Sequence, residues 1–307
     1  METDLGNWGN TYEGVRHGTA LILEILGRHA VPATFLFTAD AAQACPAAVQ
    51  GVLAAGHEVG CHGLRHEFLG EANSDTPGLF TLLPEEVGHR LELATAAVAT
   101  IAGTRPVSFR CPRLQGSNQV IQALQRLGYV ADSSYPTYFY GKQLGPYYPH
   151  RDDWREAGGL STGSPLPSGG DFAGQALPVL ELPLFADFTE PLTDPADPFM
   201  RARDGWPRLR LEGGVRFKQR IDRMSRYLHE RGQLAFVCLY LHPWEFVPTP
   251  RELVFGEGRL EVAEWLWQNS GPAHLAALDE LLDLLRKDGA IFWSMKDFAA
   301  AWQRGEV

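Results

Sequence analysis

The sequence predicts an α/β fold, a barrel of parallel strands in a single domain spanning residues 1–307. Short apolar or β-branched runs alternate with longer helical patterns along the chain. At this spacing such alternation means parallel strands joined by crossover helices. No internal repeat or linker-like break divides the 307 residues, and barrels of this size form one domain. Ionisable residues also fall just after the predicted strands, where a parallel barrel carries its chemistry.

The elements follow in order. Val15 to His29 carries an apolar stripe at Val15, Leu21, Ile22, Ile25 and Leu26, and Pro32 stops that helix. Ala33 to Thr38 reads as a buried strand. Asp40 to Ala55 is an Ala-rich helix ending at Gly56, and Glu58 to Cys61 is the next strand. Pro84-Glu85-Glu86 opens a helix to about Ala102, with acids where the helix dipole favours them. Val107 to Arg110 is a strand. Ser117 caps a helix through Leu127, with Gly128 at its end. Tyr129 to Asp132, Val179 to Leu182, Leu234 to Leu241 and Ala290 to Trp293 complete the expected strands. Val215 to Arg231, Pro272 to Lys287 and Met295 to Gln303 complete the helices. Residues 133–177 are rich in Gly, Pro and aromatics without a period, an insertion of the length that usually serves function.

Composition narrows the function classes. There are 27 basic against 37 acidic residues, a net charge of −10, and no concentrated basic patch. Such a surface repels phosphate backbones, so nucleic acid is not the expected partner. Four cysteines, at 45, 61, 111 and 238, form no C-x-x-C pair, which argues against a disulfide scaffold or a cysteine zinc site. The longest apolar run, Leu234 to Leu241, is eight residues, and a membrane-spanning helix needs about 18. No basic segment followed by an apolar one opens the sequence, so a cytoplasmic location is expected for the chain as written. Composition leaves the oligomeric state open.

The candidate chemistry sits at the strand ends. His62 and His66, in Gly60-Cys61-His62-Gly63-Leu64-Arg65-His66, are four apart, so a helical turn after the strand puts both rings on one face. Two imidazoles and a carboxylate form a common catalytic zinc set with open positions for water and substrate. A lone H-x-x-x-H is more often a pair of surface histidines, but this one follows a strand directly. His57, one step before that strand, reads as structural. Glu2 and Asp4 are two apart, which in a strand puts both carboxylates on one side. Like charges that close are relieved when a metal neutralises one, which suits Asp4 as ligand and Glu2 as general base; alone, the pair is an acidic N-terminus. Arg110 ends one strand and can orient a carboxylate. Asp132 ends another and can orient a His or Arg. His242, in Leu241-His242-Pro243-Trp244-Glu245, ends the most apolar run and suits a general acid opposite a metal, although a lone His there is commonly structural. Tyr135, in the long loop, and Trp244 are the candidate substrate contacts, their alternative being packing.

Taken in order, Asp4, His62-x-x-x-His66, Phe109-Arg110-Cys111-Pro112, Asp132-Ser133-Ser134 and Leu241-His242-Pro243 resemble the five motifs of the polysaccharide deacetylases, the NodB-type carbohydrate esterase family 4. The resemblance runs from residue 2 to 244, and Ala33–Phe37 and Gly289–Trp293 also resemble strands of that family. It implies a distorted (β/α) barrel and a divalent metal, Zn2+ or alternatively Co2+ or Ni2+. The implied ligands are Asp4, His62 and His66, with Glu2 as base, Arg110 as its orienting partner, and His242 as acid tuned by Asp132. The family's base is ordinarily Asp, one methylene shorter than Glu2. The His-Pro-Trp-Glu segment looks more like the branch holding intracellular-type peptidoglycan deacetylases and cofactor-independent allantoinases.

The expected activity is hydrolysis of an N-acetyl or related acyl group from an amino sugar or polysaccharide. The alternatives are allantoinase-like hydrolysis of a cyclic ureide, or non-catalytic carbohydrate binding on the same barrel. The expected partner is thus a carbohydrate or small-molecule amide. If Glu2 and Asp4 end the first barrel strand, that strand begins before Met1.

Overall fold

The structure, a computed structural model, describes residues 12–70, 82–160, 163, 176–191, 202–255 and 257–307. A π-helical turn at Gly14–Gly18 leads into α1 (Thr19–His29), then β1 (Thr34–Phe37), α2 (Ala39–Ala44), α3 (Pro46–Ala54) and β2 (Glu58–Cys61). Next come α4 (Pro84–Ala102), β3 (Ser108–Phe109), α5 (Asn118–Arg126), β4 (Ala131–Asp132), α6 (Thr137–Tyr140) and β5 (Leu180–Glu181). The C-terminal part holds α7 (Arg208–Glu212), α8 (Gly214–His229), β6 (Glu252–Phe255), β7 (Gly258–Glu261), α9 (Glu264–Trp267), α10 (Pro272–Lys287) and α11 (Met295–Arg304).

Strands β1 to β5 form a parallel sheet in chain order, and β6 and β7 form a separate antiparallel hairpin. Parallel neighbours need a crossover, and the intervening helices supply it. The hairpin is not among the elements expected from the sequence.

Local rules explain most boundaries. The Ser117 hydroxyl accepts from Val120 N at 3.2 Å and starts α5. The expected single helix over Asp40–Ala55 is two helices. Pro46 has no N–H to continue the first and holds Cys45 out of helical geometry, at φ −131° and ψ 56°. The buried Glu58 carboxylate ties the N-terminal edge of the sheet together. It accepts from Thr34 Oγ1 at 2.5 Å, Ser108 Oγ at 2.6 Å and Lys296 N at 3.1 Å.

The cores form where the helices pack around this sheet. One gathers Val49, Leu91, Val98, Phe109, Ile121 and Leu124 beneath α3, α4 and α5. Another gathers Ile25, Phe217, Ile221, Phe246 and Leu281 between α1, α8 and α10. Burial of this kind, at roughly 25 cal/mol per Å² of apolar surface, dominates the stability of such a layered fold.

Two expected strands differ. Among the described residues, Leu234–Leu241 and Ala290–Trp293 pair with no strand. Alternation survives in the first: Val237, Leu239 and Leu241 pack toward α8 and α10, whereas Phe236 and Cys238 join the cluster under α11. A ladder needs main-chain partners in register as well as apolar side chains. On the β5 side, Pro183 interrupts the donors, and Phe185 N donating to Cys238 O at 2.9 Å ties the segment down. Ile291, in the second segment, is 77% exposed. Both segments act as extended walls beside the sheet.

The long insertion is packed on itself where it is described. Tyr135, Tyr147, Tyr148 and Trp154 are all buried, and Tyr135 meets Tyr140, Tyr147 and Trp154 ring to ring at 5.2–5.9 Å. No helix among the described residues is long and apolar enough to cross a membrane.

Candidate active site

The register of the sheet brings the chemistry together. Phe37, Cys61, Phe109, Asp132 and Glu181 stand level at the C-terminal ends of β1 to β5. One residue further on, His62 N donates to Phe37 O at 2.8 Å, Arg110 N to Cys61 O at 3.2 Å and Ser133 N to Phe109 O at 3.0 Å. His62, Arg110 and Ser133 therefore emerge side by side at the top of the sheet, as parallel α/β folds require of a working site.

A cavity of about 1380 Å³ opens there, and His62, His66, Arg110, Arg113 and His242 all line it. His62 and His66 meet edge to face with ring centres 4.9 Å apart. The expected helical turn is not what converges them. Gly63 at φ +84° and His66 at φ +59° turn the chain into an irregular loop, and no helix can include them. Gly63 has a reason to be Gly beyond its φ, since a Cβ there would sit 3.0 Å from Pro112 Cγ.

The His62 ring donates from Nδ1 to the main-chain oxygen of Arg110 at 2.8 Å, which leaves Nε2 with its lone pair. Burial, the largest influence, pulls the His62 imidazolium down to about 3, and burial also holds His66 well below the ordinary histidine range. Both rings are therefore neutral, as metal ligation needs. His66 Nδ1 is buried without a hydrogen-bond partner. Two neutral imidazoles, one oriented by a carbonyl and one with an orphaned nitrogen, fit a divalent ion. The third and fourth expected members, Asp4 and Glu2, lie outside the described residues. Among the described residues no cluster of three or more His, Cys, Asp or Glu could hold a metal.

Arg110 donates from Nε to Ser133 O and from Nη2 to Ser133 Oγ, each at 2.8 Å, and its guanidinium lies 5.5 Å above the Tyr240 ring. Two of its donors are thus used to hold it in place at the top of β3 and β4.

The pairing of His242 differs from the expectation. Its Nδ1 faces Glu245 Oε2 at 3.2 Å, and the same oxygen accepts from His242 N at 2.8 Å. Asp132 instead accepts from Ser133 N at 2.9 Å and Ser134 Oγ at 2.6 Å, and it lies against Glu181. The turn at Pro243–Phe246 folds Glu245 back under His242, so the carboxylate three residues on reaches the ring before the one on β4 can. Burial acts to raise Glu245, but the His242 hydrogen bond, together with His274, His242 and Arg210, holds it ionised at about 2. The spacing His-Pro-x-Glu is a capping-box pattern with Pro at the first position, and it is the sequence signal from which Glu245 could have been found.

The two expected substrate contacts, Tyr135 and Trp244, are placed differently from each other. Tyr135 is completely buried, its hydroxyl accepting from Lys142 N and Gln143 N at 3.4 Å. Trp244 is 2% exposed and stacks on His242 at 5.7 Å. Tyr135 is covered by its neighbours, whereas Trp244 lines the cavity together with Tyr138, Phe139 and Trp265.

Residues 9–131 match the model of the family described as polysaccharide deacetylase. No curated protein matches the chain. Among solved structures it is similar to a putative polysaccharide deacetylase from Mycobacterium smegmatis, with 17% identity, a TM-score of 0.59, and 99% of this chain covering 84% of that one. A probable polysaccharide deacetylase from Pseudomonas aeruginosa PAO1 gives 20%, 0.59, 95% and 75% in the same order. A PuuE allantoinase gives 19%, 0.58, 95% and 74%. The fold is thus shared along nearly the whole chain with these proteins, and residues 9–131 are similar to the polysaccharide deacetylase family.

Proposed function

We propose that this chain is a metal-dependent hydrolase that removes an acetyl or related acyl group from the nitrogen of an amino sugar or polysaccharide. The observation that carries the reading is the placement of two neutral imidazoles, His62 and His66, in one cavity wall with His242. The ion would be held by His62 and His66, with Asp4 as the third ligand, and zinc, cobalt or nickel all accept such donors. When bound, it supplies a Lewis acid that polarises the acyl carbonyl and acidifies water.

The chain's own residues perform the proton transfers. Glu2 takes the proton of the attacking water, and His242 gives one to the departing nitrogen as the C–N bond breaks. The acyl group leaves as a carboxylate and the sugar keeps a free amine. Glu245 on Nδ1 leaves Nε2 of His242 for that transfer. Trp265, Tyr138 and Phe139 offer apolar faces to the cavity, and such faces suit the C–H sides of a sugar ring.

The test is acetate release from a panel of N-acetylated chito-oligosaccharides by the zinc-loaded chain. Release that disappears in His62→Ala is the expected result. Cleavage of allantoin with no acetate from any sugar would replace this reading with a ureide hydrolase. Stoichiometric sugar binding with neither reaction would replace it with a binding protein.

A further inference from the structure

Behind His242, the buried chain of charge extends past Glu245 to Arg210. Glu245 Oε2 receives the His242 ring, while Glu245 Oε1 accepts from Arg210 Nε at 3.0 Å. Both side chains of the ion pair are fully shielded from solvent. The remaining donors of Arg210 go to main-chain oxygens: Nη1 to Gln268 O at 2.5 Å and Nη2 to Trp265 O at 2.9 Å. Glu245 O also accepts from Gly271 N at 2.8 Å. Arg210 on α7 therefore clamps the turn that carries His242 to the segment that carries Trp265.

A buried ion pair is weak evidence for stability, because apolar residues of the same volume often serve as well. This one is placed for something else. A guanidinium fork satisfied on every side fixes Glu245, and a carboxylate held from behind can hold an imidazole in one tautomer. We propose that Arg210 and Glu245 are positioning residues that hold His242 with Nδ1–H inward and Nε2 toward the cavity. The proposal rests on the hydrolase reading for its catalytic consequence.

Other groups around the ring do not take this role. His62 and His66 on the loop after β2, and His274 on α10, are neutral rings whose charging a cationic His242 would disfavour. Tyr240 meets the ring edge-on at 5.8 Å, with Arg110 over its face, and its hydroxyl donates to Asp204 at 3.2 Å. Trp206 and Trp244 flank the ring at 5.1 and 5.7 Å and carry no charge. Among the described residues, Glu245 is the anion whose oxygen is recorded on the His242 ring.

The experiment uses the full chain with Glu245→Gln, Glu245→Asp and Arg210→Lys. Nitrogen-15 spectra of labelled histidine rings, without added metal, read the tautomer of His242, assigned with His242→Gln. The expected result is a dominant Nδ1–H form in the parent and in Glu245→Asp, and a mixed population in Glu245→Gln. With zinc and N-acetylated chitotetraose, Glu245→Gln is expected to lose at least tenfold in kcat with KM within about twofold. Its pH profile loses the basic limb earlier, and Glu245→Asp restores part of it. Arg210→Lys keeps the charge but not the fork, and it is expected to fall between. Thermal melts confirm that each variant is folded. If the tautomer and pH profile of Glu245→Gln match the parent, the positioning role is overturned. If the parent hydrolyses no amide, the hydrolase reading falls, and the ring spectra still decide the positioning.

Discussion

His62 and Arg110 are joined through the main chain: the Nδ1–H of His62 donates to the Arg110 carbonyl at 2.8 Å across the ends of β2 and β3. The bond comes from sheet register, because Arg110 N in turn donates to Cys61 O at 3.2 Å. A side-chain substitution at 110 leaves the acceptor in place, so ring orientation at 62 is carried by the fold.

The His pair predicts the metal behaviour of the chain. His62→Ala and His66→Ala are each expected to lower zinc affinity at least a hundredfold, with the melting profile of the zinc-free protein little changed. Calorimetric titration with zinc measures this. Losing a group that only orients a metal ligand ordinarily costs about 10–100-fold, so losing a ligand exceeds it. Arg110→Ala retains the carbonyl and is expected to stay within about tenfold of the parent. Equal affinity in all three variants and the parent would remove the pair from the site.

Asp132 and Glu181 predict a pH dependence of stability. Burial, the largest influence, raises both carboxyls, Asp132 from 3.8 to about 6 and Glu181 well above its ordinary value, with each other's charge adding to Glu181. Glu181 Oε1 accepts from Ser134 N and Tyr135 N at 2.9 Å, while Oε2 is buried without a donor. One shared proton satisfies both acids. Because the folded state holds that proton more tightly than the unfolded chain, its stabilising effect is complete below about pH 4. It weakens as pH rises through about 6, where Asp132 ionises, and is lost once Glu181 ionises in turn. Glu181→Gln puts a permanent donor in place of the proton. Denaturant melts should show it more stable than the parent at pH 7, on the order of 1–3 kcal/mol, with the difference shrinking at pH 4. A gap that widens on acidification would contradict the shared proton.

How far the sequence was legible can be judged at particular positions. Helices α4, α5 and α10 begin and end close to where caps and apolar stripes place them, since Ser117, Pro84 and Pro272 act locally. Residues His62, His66, Arg110 and His242 do line one cavity, because a strand end is a position that periodicity can locate. Glu245 and Arg210 are less visible. Their partnership joins positions 35 apart and depends on how α7 packs against the 243–246 turn. Tyr135 shows the opposite: composition marks an aromatic residue as a contact, and only packing shows that its faces are already covered. Leu234–Leu241 has strand composition and alternation, yet pairing depends on the neighbour, and Pro183 interrupts that neighbour.

Trp265 predicts a split between binding and turnover. It is 37% exposed on the cavity wall, and it meets Trp206 edge-on at 5.6 Å. Its main-chain oxygen holds Arg210, and that contact survives side-chain truncation. Stacking on an aromatic face is worth about 0.5–1.5 kcal/mol. Trp265→Ala is therefore expected to raise KM for an N-acetylated oligosaccharide by roughly three- to tenfold with kcat within about twofold. Steady-state kinetics decide it. A fall in kcat at unchanged KM would mean that Trp265 supports His242 rather than the substrate.

Gly18 and Gly27 predict opposite effects of the same substitution. Gly18 caps the start of α1 with its Cα against the turn that carries His242: a Cβ built there would sit 1.9 Å from Pro243 O. That carbonyl is backbone and cannot rotate away, so Gly18→Ala must shift either α1 or the 243–246 turn. Overpacking of this kind costs about 1–3 kcal/mol. Because Pro243 and Glu245 move with His242, kcat should fall along with the melting temperature, although residue 18 supplies no catalytic atom. At Gly27, nine residues along in the same helix, an added Cβ meets nothing within 4 Å. There the substitution improves helix propensity alone, and Gly27→Ala is expected to stabilise by about 0.5–1 kcal/mol with kcat unchanged. Paired melts and kinetics separate the cases. Equal behaviour of the two variants would mean that α1 and the His242 turn do not bear on each other as closely as the geometry at Gly18 requires.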